Sequence, residues 1–319
     1  MPSPRLKISA WFVIAFVSSL ISGASYADDL VRIGWLKTTN ILSLAKSRGA
    51  FEAHLHKSGI RVQWVGPFAA SAPAVEALNA GLVDVTIGSS TSAMASLAAK
   101  VPIVLFAYRQ MSPDCEGILV KNDSAIRSTK DLVGKRVAVN RGGTGEYLLV
   151  KALETHGVDV SSVHRVYFGP QDGGFAFAAG QVDAWAVWDP YYTLGQTTYQ
   201  GRTLASGDAI GDENGVVLLA ARPFAKDKHK LLRSVFDALV EDSQWAQNNQ
   251  EAAGYIWTEE LKLPNEIAGR LGHNNALAIT ATGSAEADQL RSIARWYIEK
   301  KIVPHFDGLD ESILDLSAR

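Results

Sequence analysis

The sequence predicts an α/β protein of two lobes, each a mainly parallel sheet flanked by helices, with two segments crossing between the lobes. Three observations carry this expectation. One phrase occurs twice: Ala80-Gly81-Leu82-Val83-Asp84 runs into Val85-Thr86-Ile87 and stops at Gly88-Ser89-Ser90, while Ala179-Gly180-Gln181-Val182-Asp183 runs into Ala184-Trp185-Ala186-Val187 and stops at Trp188-Asp189-Pro190. Gly81 and Gly180 lie 99 positions apart. Each copy follows a helical segment, and so reads as a helix, a glycine turn, a short buried strand and a polar loop at the strand's carboxyl end. In open α/β sheets ligands sit at such loops. Secondly, β-rich runs alternate with helical runs, the pattern of a parallel sheet. Thirdly, the chain beyond Pro223 is helical with no obvious strand, and is expected to pack back on the first lobe.

In order, Leu30–Trp35 reads as a strand, Ile41–His56 as a helix after the capping types Thr38-Thr39-Asn40, and Ile60–Val65 as a second strand. Gly66–Ser71 reads as a loop, and Pro73 opens a helix through Asn79. Ser92–Lys100 (helix) and Ile103–Ala107 (strand) follow the first copy of the phrase. Glu116–Lys121 is an extended apolar run, 128–132 a short helix and 134–139 a turn and strand. Glycine-rich Asn140–Gly145 opens a helix over Glu146–His156, then come a strand at Val163–Phe168 and a helix at Phe175–Ala179. A polar loop, Gly207–Gly215, precedes a strand at Val216–Ala221. Lys228–Gln247, Glu251–Glu260, Asn265–Leu271 and Ala285–Lys300 are helices, with Pro264 as a breaker. This ordering divides the chain into residues 28–115 plus 222–319 as the first lobe and 116–221 as the second. Glu116–Lys121 and Val216–Ala221 are then the two crossings, both counted with the second lobe.

Residues 1–27 read as a cleaved export signal: Arg5 and Lys7 precede an apolar run from Ile8 to Ile21, and Ser25-Tyr26-Ala27 supplies small residues for a cut near Ala27. That run is shorter than the roughly 20 residues a spanning helix needs. The remainder fits two domains at roughly 100–200 residues each. The net charge of −2 is not a nucleic-acid footprint, which needs a clustered basic face. Cys115, the single cysteine, has no partner for an internal disulfide and reads as a small buried residue.

Candidate site residues fall on the turns after strands. Ser89, Ser90 and Thr91, after the first phrase, offer hydroxyls to an oxyanion at a helix start, beyond the one that capping needs. Gly143, Thr144 and Gly145 form a second anion-suited turn, with neither the Gly-Lys-Ser/Thr of a P-loop nor a full Gly-x-Gly-x-x-Gly. Glycines that merely permit a tight turn are the alternative. Thr38, Thr39 and Asn40 make a third turn, divided between capping and binding. Trp188, Asp189 and Tyr191 place aromatics and a carboxylate on one loop, as small-ligand pockets do. Asp189 either accepts from a ligand N–H or caps the following helix. Glu146 is favoured by the helix dipole without any ligand, and Asn214 sits where the chain turns back. No His-Glu-x-x-His, zinc spacing or Gly-x-Ser-x-Gly elbow is present, so no metal, cofactor or catalytic group is expected.

At these residues the chain resembles the periplasmic substrate-binding proteins of ABC importers for taurine and aliphatic sulfonates, relatives of nitrate-binding proteins. The matching phrases are Glu76–Gly81 through Gly88-Ser89-Ser90, Asp131–Val139 and Val182–Pro190. The second-lobe turn departs from the pattern: relatives carry Ser or Thr pairs and a His where this chain has Gly143-Thr144-Gly145-Glu146. The resemblance implies a type II periplasmic binding fold that closes on a small anionic organic ligand and is recognised by an inner-membrane ABC permease. A periplasmic monomer with no nucleic-acid partner and no enzymatic activity is expected. Ser89–Thr91 and Gly143–Gly145 would surround a sulfonate, Trp188 and Tyr191 would line its organic part, and Asp189 or Glu146 would hold an amine. Micromolar affinity needs about 8 kcal/mol, and hydrogen bonds to a charged group supply roughly 1.5–3 kcal/mol each, so four or five donors suffice without an obligatory arginine. Nitrate, an aromatic or pyrimidine-type ligand, and an enzyme on the same scaffold are the alternatives.

Overall fold

The computed structural model describes residues 29–317; the expected export signal at 1–27 lies outside them. The first part of the chain forms β1 (Asp29–Leu36), α1 (Ile41–Arg48), α2 (Ala50–His56), β2 (Ile60–Phe68), α3 (Ser71–Asn79), β3 (Val85–Ser89), α4 (Ser90–Ala98) and β4 (Ile103–Gln110). The single helix expected over 41–56 is two, because Gly49 is left-handed (φ 67°) and ends α1 as its C-cap. β2 runs on to Phe68, where a loop was expected.

The second part forms β5 (Glu116–Lys121), β6 (Arg136–Val139), α5 (Thr144–Thr155), β7 (His164–Tyr167), α6 (Pro170–Ala178), β8 (Ala184–Trp188), α7 (Tyr191–Thr197) and β9 (Gly201–Ser206). The chain then returns as β10 (Gly215–Ala221), α8 (Arg222–Asp227), α9 (His229–Asn248), α10 (Gln250–Leu261), α11 (Ala268–Asn275), β11 (Thr280–Ala281) and α12 (Ser284–Glu299). The short strands β9 and β11 had no clear signal in the sequence. Among the described residues no helix is long and apolar enough to cross a membrane.

Two mixed sheets result, ordered β11-β4-β10-β3-β1-β2 and β7-β6-β8-β5-β9. Parallel pairing joins β1 to β2 and β3, and β6 to β7 and β8. β10 is inserted antiparallel between β3 and β4, and β5 antiparallel between β8 and β9. Residues 116–121 and 216–221 are therefore interior strands, not crossings, and 216–221 belongs to the first sheet rather than the second lobe. The chain passes between the sheets at 111–115 and 207–214.

The repeated phrase does the same mechanical work twice. Gly81 and Gly180 turn the chain at φ 70° and 68°, which favours glycine. Asp84 then donates its N–H to the Arg32 carbonyl (2.8 Å) and accepts the Arg32 N–H on Oδ2 (2.8 Å). Asp183 repeats both bonds with Arg136, each at 2.8 Å. Each phrase thus pins one central strand to its parallel neighbour.

The returning helices mostly cover the first sheet. Leu232, Val235 and Leu239 of α9 and Trp257 of α10 pack with Val31, Ile33 and Phe51, while Leu290, Ile293 and Tyr297 of α12 pack with Met94 and Leu97 on the other face. The segment around α11 differs, since Ile267 and Leu271 join Trp185, Tyr191 and Tyr192 in the core of the second sheet. α10 and α11 touch through glycines: a Cβ on Gly254 or Gly272 would stand 1.9 Å from the Ala268 or Gln250 carbonyl oxygen.

Asp84 is 7% exposed and Asp183 is exposed, so the two copies differ in strength. Asp84→Ala, which leaves the Arg32 N–H without its acceptor, is expected to cost about 1–3 kcal/mol in denaturant unfolding, and Asp183→Ala less.

Candidate functional site

β1, β3 and β4 of one sheet and β6 and β8 of the other end at a common cavity. Its volume is about 50 Å³, against roughly 10–15 Å³ for one water on this measure. The first sheet contributes Leu36, the turn Thr38–Asn40, Ser71, Ile87, Gly88, Ser89, Ser92, Arg109, Met111 and Val216. The second contributes Asn140, Thr144, Trp188 and Asp189, and Asn275 reaches in from the end of α11. Helices α1, α4 and α5 all begin at this wall, so three positive dipole ends converge there.

Arg109 is the group that sequence reasoning missed. β4 was expected to end at Ala107 but continues through Tyr108 and Arg109, which carries the side chain into the cavity wall. Arg109 is 7% exposed, its Nη1 is buried, and no hydrogen bond or ion pair from the described residues satisfies that nitrogen. Burial pulls its pKa below the usual arginine value, while nearby Cys115, Glu116 and Tyr108 pull the other way. Burial, and then other acidic groups, push the pKa of the Cys115 thiol and of the Glu116 carboxyl well up. The Thr39 hydroxyl, also at the wall, is likewise buried without a partner. A cation and a donor left unsatisfied at one cavity wall are costly in a folded core.

The sequence candidates divide. Thr38, Thr39, Asn40, Ser89, Thr144, Trp188 and Asp189 line the cavity; Ser90, Thr91, Gly143, Gly145, Glu146, Tyr191 and Asn214 do not. Asn40 is the N-cap of α1, its Oδ1 accepting from the N–H groups of Leu42 (2.9 Å) and Ser43 (3.0 Å). Ser89 caps α4 through Ser92 N–H (3.1 Å). Ser90 donates to Asn214 Oδ1 (2.9 Å) and accepts the Gly215 N–H (3.0 Å), and Thr91 lies against Ser89. The Ser90 hydroxyl thus serves the packing of β10, and the Thr91 hydroxyl pairs with that of Ser89. Asn214 also donates to Thr144 Oγ1 (3.1 Å), tying the sheets together behind the wall.

Gly143 and Gly145 make room for Asn140. A Cβ on Gly143 would fall 2.1 Å from Asn140 Nδ2, and one on Gly145 2.5 Å from the Ala186 carbonyl oxygen. Glu146 turns away, accepting from Gly142 N–H (2.7 Å), Tyr167 O–H (2.7 Å) and Arg165 Nη1 (2.9 Å). Tyr191 is in the second core beside Trp185, its ring centroid 6.4 Å away. Asp189 borders the cavity with both oxygens engaged. Oδ1 accepts from Thr193 N–H (3.0 Å) and O–H (2.7 Å), and Oδ2 from Asn274 and Asn275 (3.1 Å each). Burial raises its pKa and these bonds oppose the rise.

Two sheets that meet at their carboxyl ends around a buried cation define a cleft protein of the periplasmic-binding fold. Residues 40–253 match the family described as NMT1/THI5 like, and the chain belongs to that family. A chain of Bacillus subtilis (strain 168) named as an aliphatic sulfonates-binding protein is 33% identical over 240 residues, 74% of this chain and 71% of its own. One of Escherichia coli (strain K12), named likewise, is 29% identical over 289 residues, 90% and 89%. Among solved structures, the alkanesulfonate-binding protein SsuA from Xanthomonas axonopodis pv. citri, bound to MOPS, matches with a TM-score of 0.83 at 26% identity, covering 89% of this chain and 98% of that one. The family resemblance drawn from the sequence agrees with these findings.

Because Glu146 is held outside the cavity, Glu146→Gln is expected to leave ligand affinity within about twofold of the parent by calorimetry, an effect under the ~1.4 kcal/mol of a tenfold change.

Proposed function

We propose that this protein is an extracytoplasmic solute-binding protein that takes up a small organosulfonate between its two sheets and delivers it to an ABC importer. The observation that carries this reading is Arg109, a buried guanidinium in the cavity wall with an unsatisfied nitrogen. A sulfonate brings the missing negative charge and three acceptor oxygens. Hydroxyls of Thr38, Thr39, Ser89, Ser92 and Thr144 stand around the same space. Charge-assisted hydrogen bonds of roughly 1.5–3 kcal/mol each bring micromolar binding within reach of a few contacts. The names of the relatives point the same way.

The wall also has an apolar side, formed by Leu36, Ile87, Met111, Val216 and Trp188, which favours an organic anion over nitrate. With Tyr191 in the core, Trp188 is the one aromatic at the cavity among the described residues, which weakens the aromatic and pyrimidine readings. Cys115 is fully buried and outside the lining, so it offers no nucleophile to a ligand. In this role the lobes are residues 29–110 with 215–317, and 116–206. They would close on the ligand, acting as a monomer in the periplasm.

Short alkanesulfonates are expected to raise the melting temperature, with about 2.7 kcal/mol of stabilisation at one hundred times Kd. Arg109→Gln should weaken binding at least tenfold, while the ligand-free variant melts no lower than the parent because an unpaired buried charge has been removed. A melting temperature indifferent to every short sulfonate, but raised by nitrate or a pyrimidine, would reassign the ligand.

A further inference from the structure

Two of the residues that bring hydroxyls to the cavity, Thr38 and Thr39, sit on the turn between β1 and α1. A turn holds a ligand tightly only if its own atoms are fixed beforehand, since ordering them on binding costs affinity. Local capping fixes part of it. Asn40 Nδ2 donates to the Thr38 carbonyl (2.9 Å) and hydroxyl (3.1 Å), and Ser43 Oγ donates to the Thr38 carbonyl (2.8 Å). The Thr39 hydroxyl is left buried without a partner at the wall.

The remaining support comes from Trp257 on α10, 217 positions from Asn40. Its indole is 1% exposed, and its Nε1–H is shared between the Asn40 carbonyl and Ser43 Oγ, 3.1 Å from each. Further along α10, Glu260 accepts from Lys46 Nζ and Ser47 Oγ, each at 2.8 Å. α10 thus grips α1 at both ends. α10 is itself seated on α11 through Gly254 and Gly272, the close contact described above.

The indole does not line the ligand cavity. It borders a separate chamber of about 10 Å³, at the lower limit for one water, which shares Asn40 and Arg109 with the cavity wall. A buried tryptophan needs one acceptor for its N–H. Here both acceptors belong to the cap that shapes the turn, so the bond that satisfies the core also sets the wall.

We propose that Trp257 is a positioning residue for the ligand site: its indole N–H sets the Thr38–Asn40 turn so that the Thr39 hydroxyl meets the bound anion without further ordering. The proposal rests on the reading of the cavity as a sulfonate site.

Calorimetric titration with ethanesulfonate of the parent, Trp257→Phe, Thr39→Val and the double variant tests this. Trp257→Phe keeps a buried ring and removes the donor, and is expected to weaken binding about fivefold or more. In the Thr39→Val background the same change should weaken it by less than about twofold, because the group it positions is gone. In a Ser92→Ala background, which alters the same wall from α4, the full loss should remain. A general loosening of the fold would weaken binding by the same factor in all three backgrounds. That result overturns the proposal, as does binding by Trp257→Phe within about twofold of the parent. Ser43→Ala removes the other end of the link while keeping a good helix former. It should repeat the loss, and it decides the matter if Trp257→Phe does not fold; parent-like affinity in Ser43→Ala refutes the proposal. A parent that binds no ethanesulfonate overturns the sulfonate reading, and the positioning role with it.

Discussion

Two sheets share one cleft only if each presents the carboxyl ends of its strands to it, and that constraint organises the rest of the molecule. β1, β3 and β4 end at the cavity on one side, β6 and β8 on the other. A chain arriving from the opposite sheet has to enter at the cleft, and so runs against the strands already there. This is why β5 and β10 are the antiparallel insertions. It is also why their first residues, Glu116 and Gly215, lie where the two passages meet. Asn214, one residue before β10, can then bind Ser90 of one sheet and Thr144 of the other at once.

Placing β10 between β3 and β4 has an energetic consequence. β4 is paired with β10 along its length, from Ile103 to Gln110, which fixes Arg109 at the cleft end of a fully paired strand. Burial without a counter-ion destabilises the ligand-free fold, and proteins commonly accept such a cost where function requires it. Cys115 and Glu116 lie near Arg109, and burial raises the pKa of both.

The scaffold was legible because it is written in local chemistry. Glycines with positive φ, an aspartate that returns a hydrogen bond to the neighbouring strand, and capping residues such as Asn40 act within a few residues or at a fixed repeat. Most strands and helices therefore fell close to their expected positions. The cleft was less legible. Ser90 and Thr91 looked equivalent to Ser89 in sequence, but once α4 begins at Ser90 their hydroxyls rotate toward β10 and toward Ser89. Glu146 could be placed only by knowing that Tyr167 and Arg165, about twenty residues on, come up beside it. Arg109 did leave a signal. An arginine directly after the apolar run Ile103–Tyr108 is a charge at the end of a core strand, and ending the strand at Ala107 hid it. Asn275 left none, since its place depends on the glycine contact between α10 and α11.

The ties made by Asn214 and by Asp189, which stand beside a Tyr191 O–H bond to the Lys37 carbonyl (3.5 Å) and a Lys300–Glu154 ion pair (2.9 Å), differ in kind. The Asn214 tie is made of neutral groups with a shared geometry, of the sort worth about 0.5–1.5 kcal/mol net per bond because water can replace each partner. The Asp189 tie gathers four donors onto one carboxylate at 2% exposure. Opening it exposes the carboxylate to water but strands the Asn274 and Asn275 amides near a core face, so it resists opening more. Neither tie touches Arg109. A ligand anion that engages Arg109 and Thr39 on one sheet and Thr144 on the other therefore adds a further charged bridge, independent of these. In the proposed role this bridge is the one whose strength depends on the ligand, so the fraction of closed protein would follow the charge of what is bound.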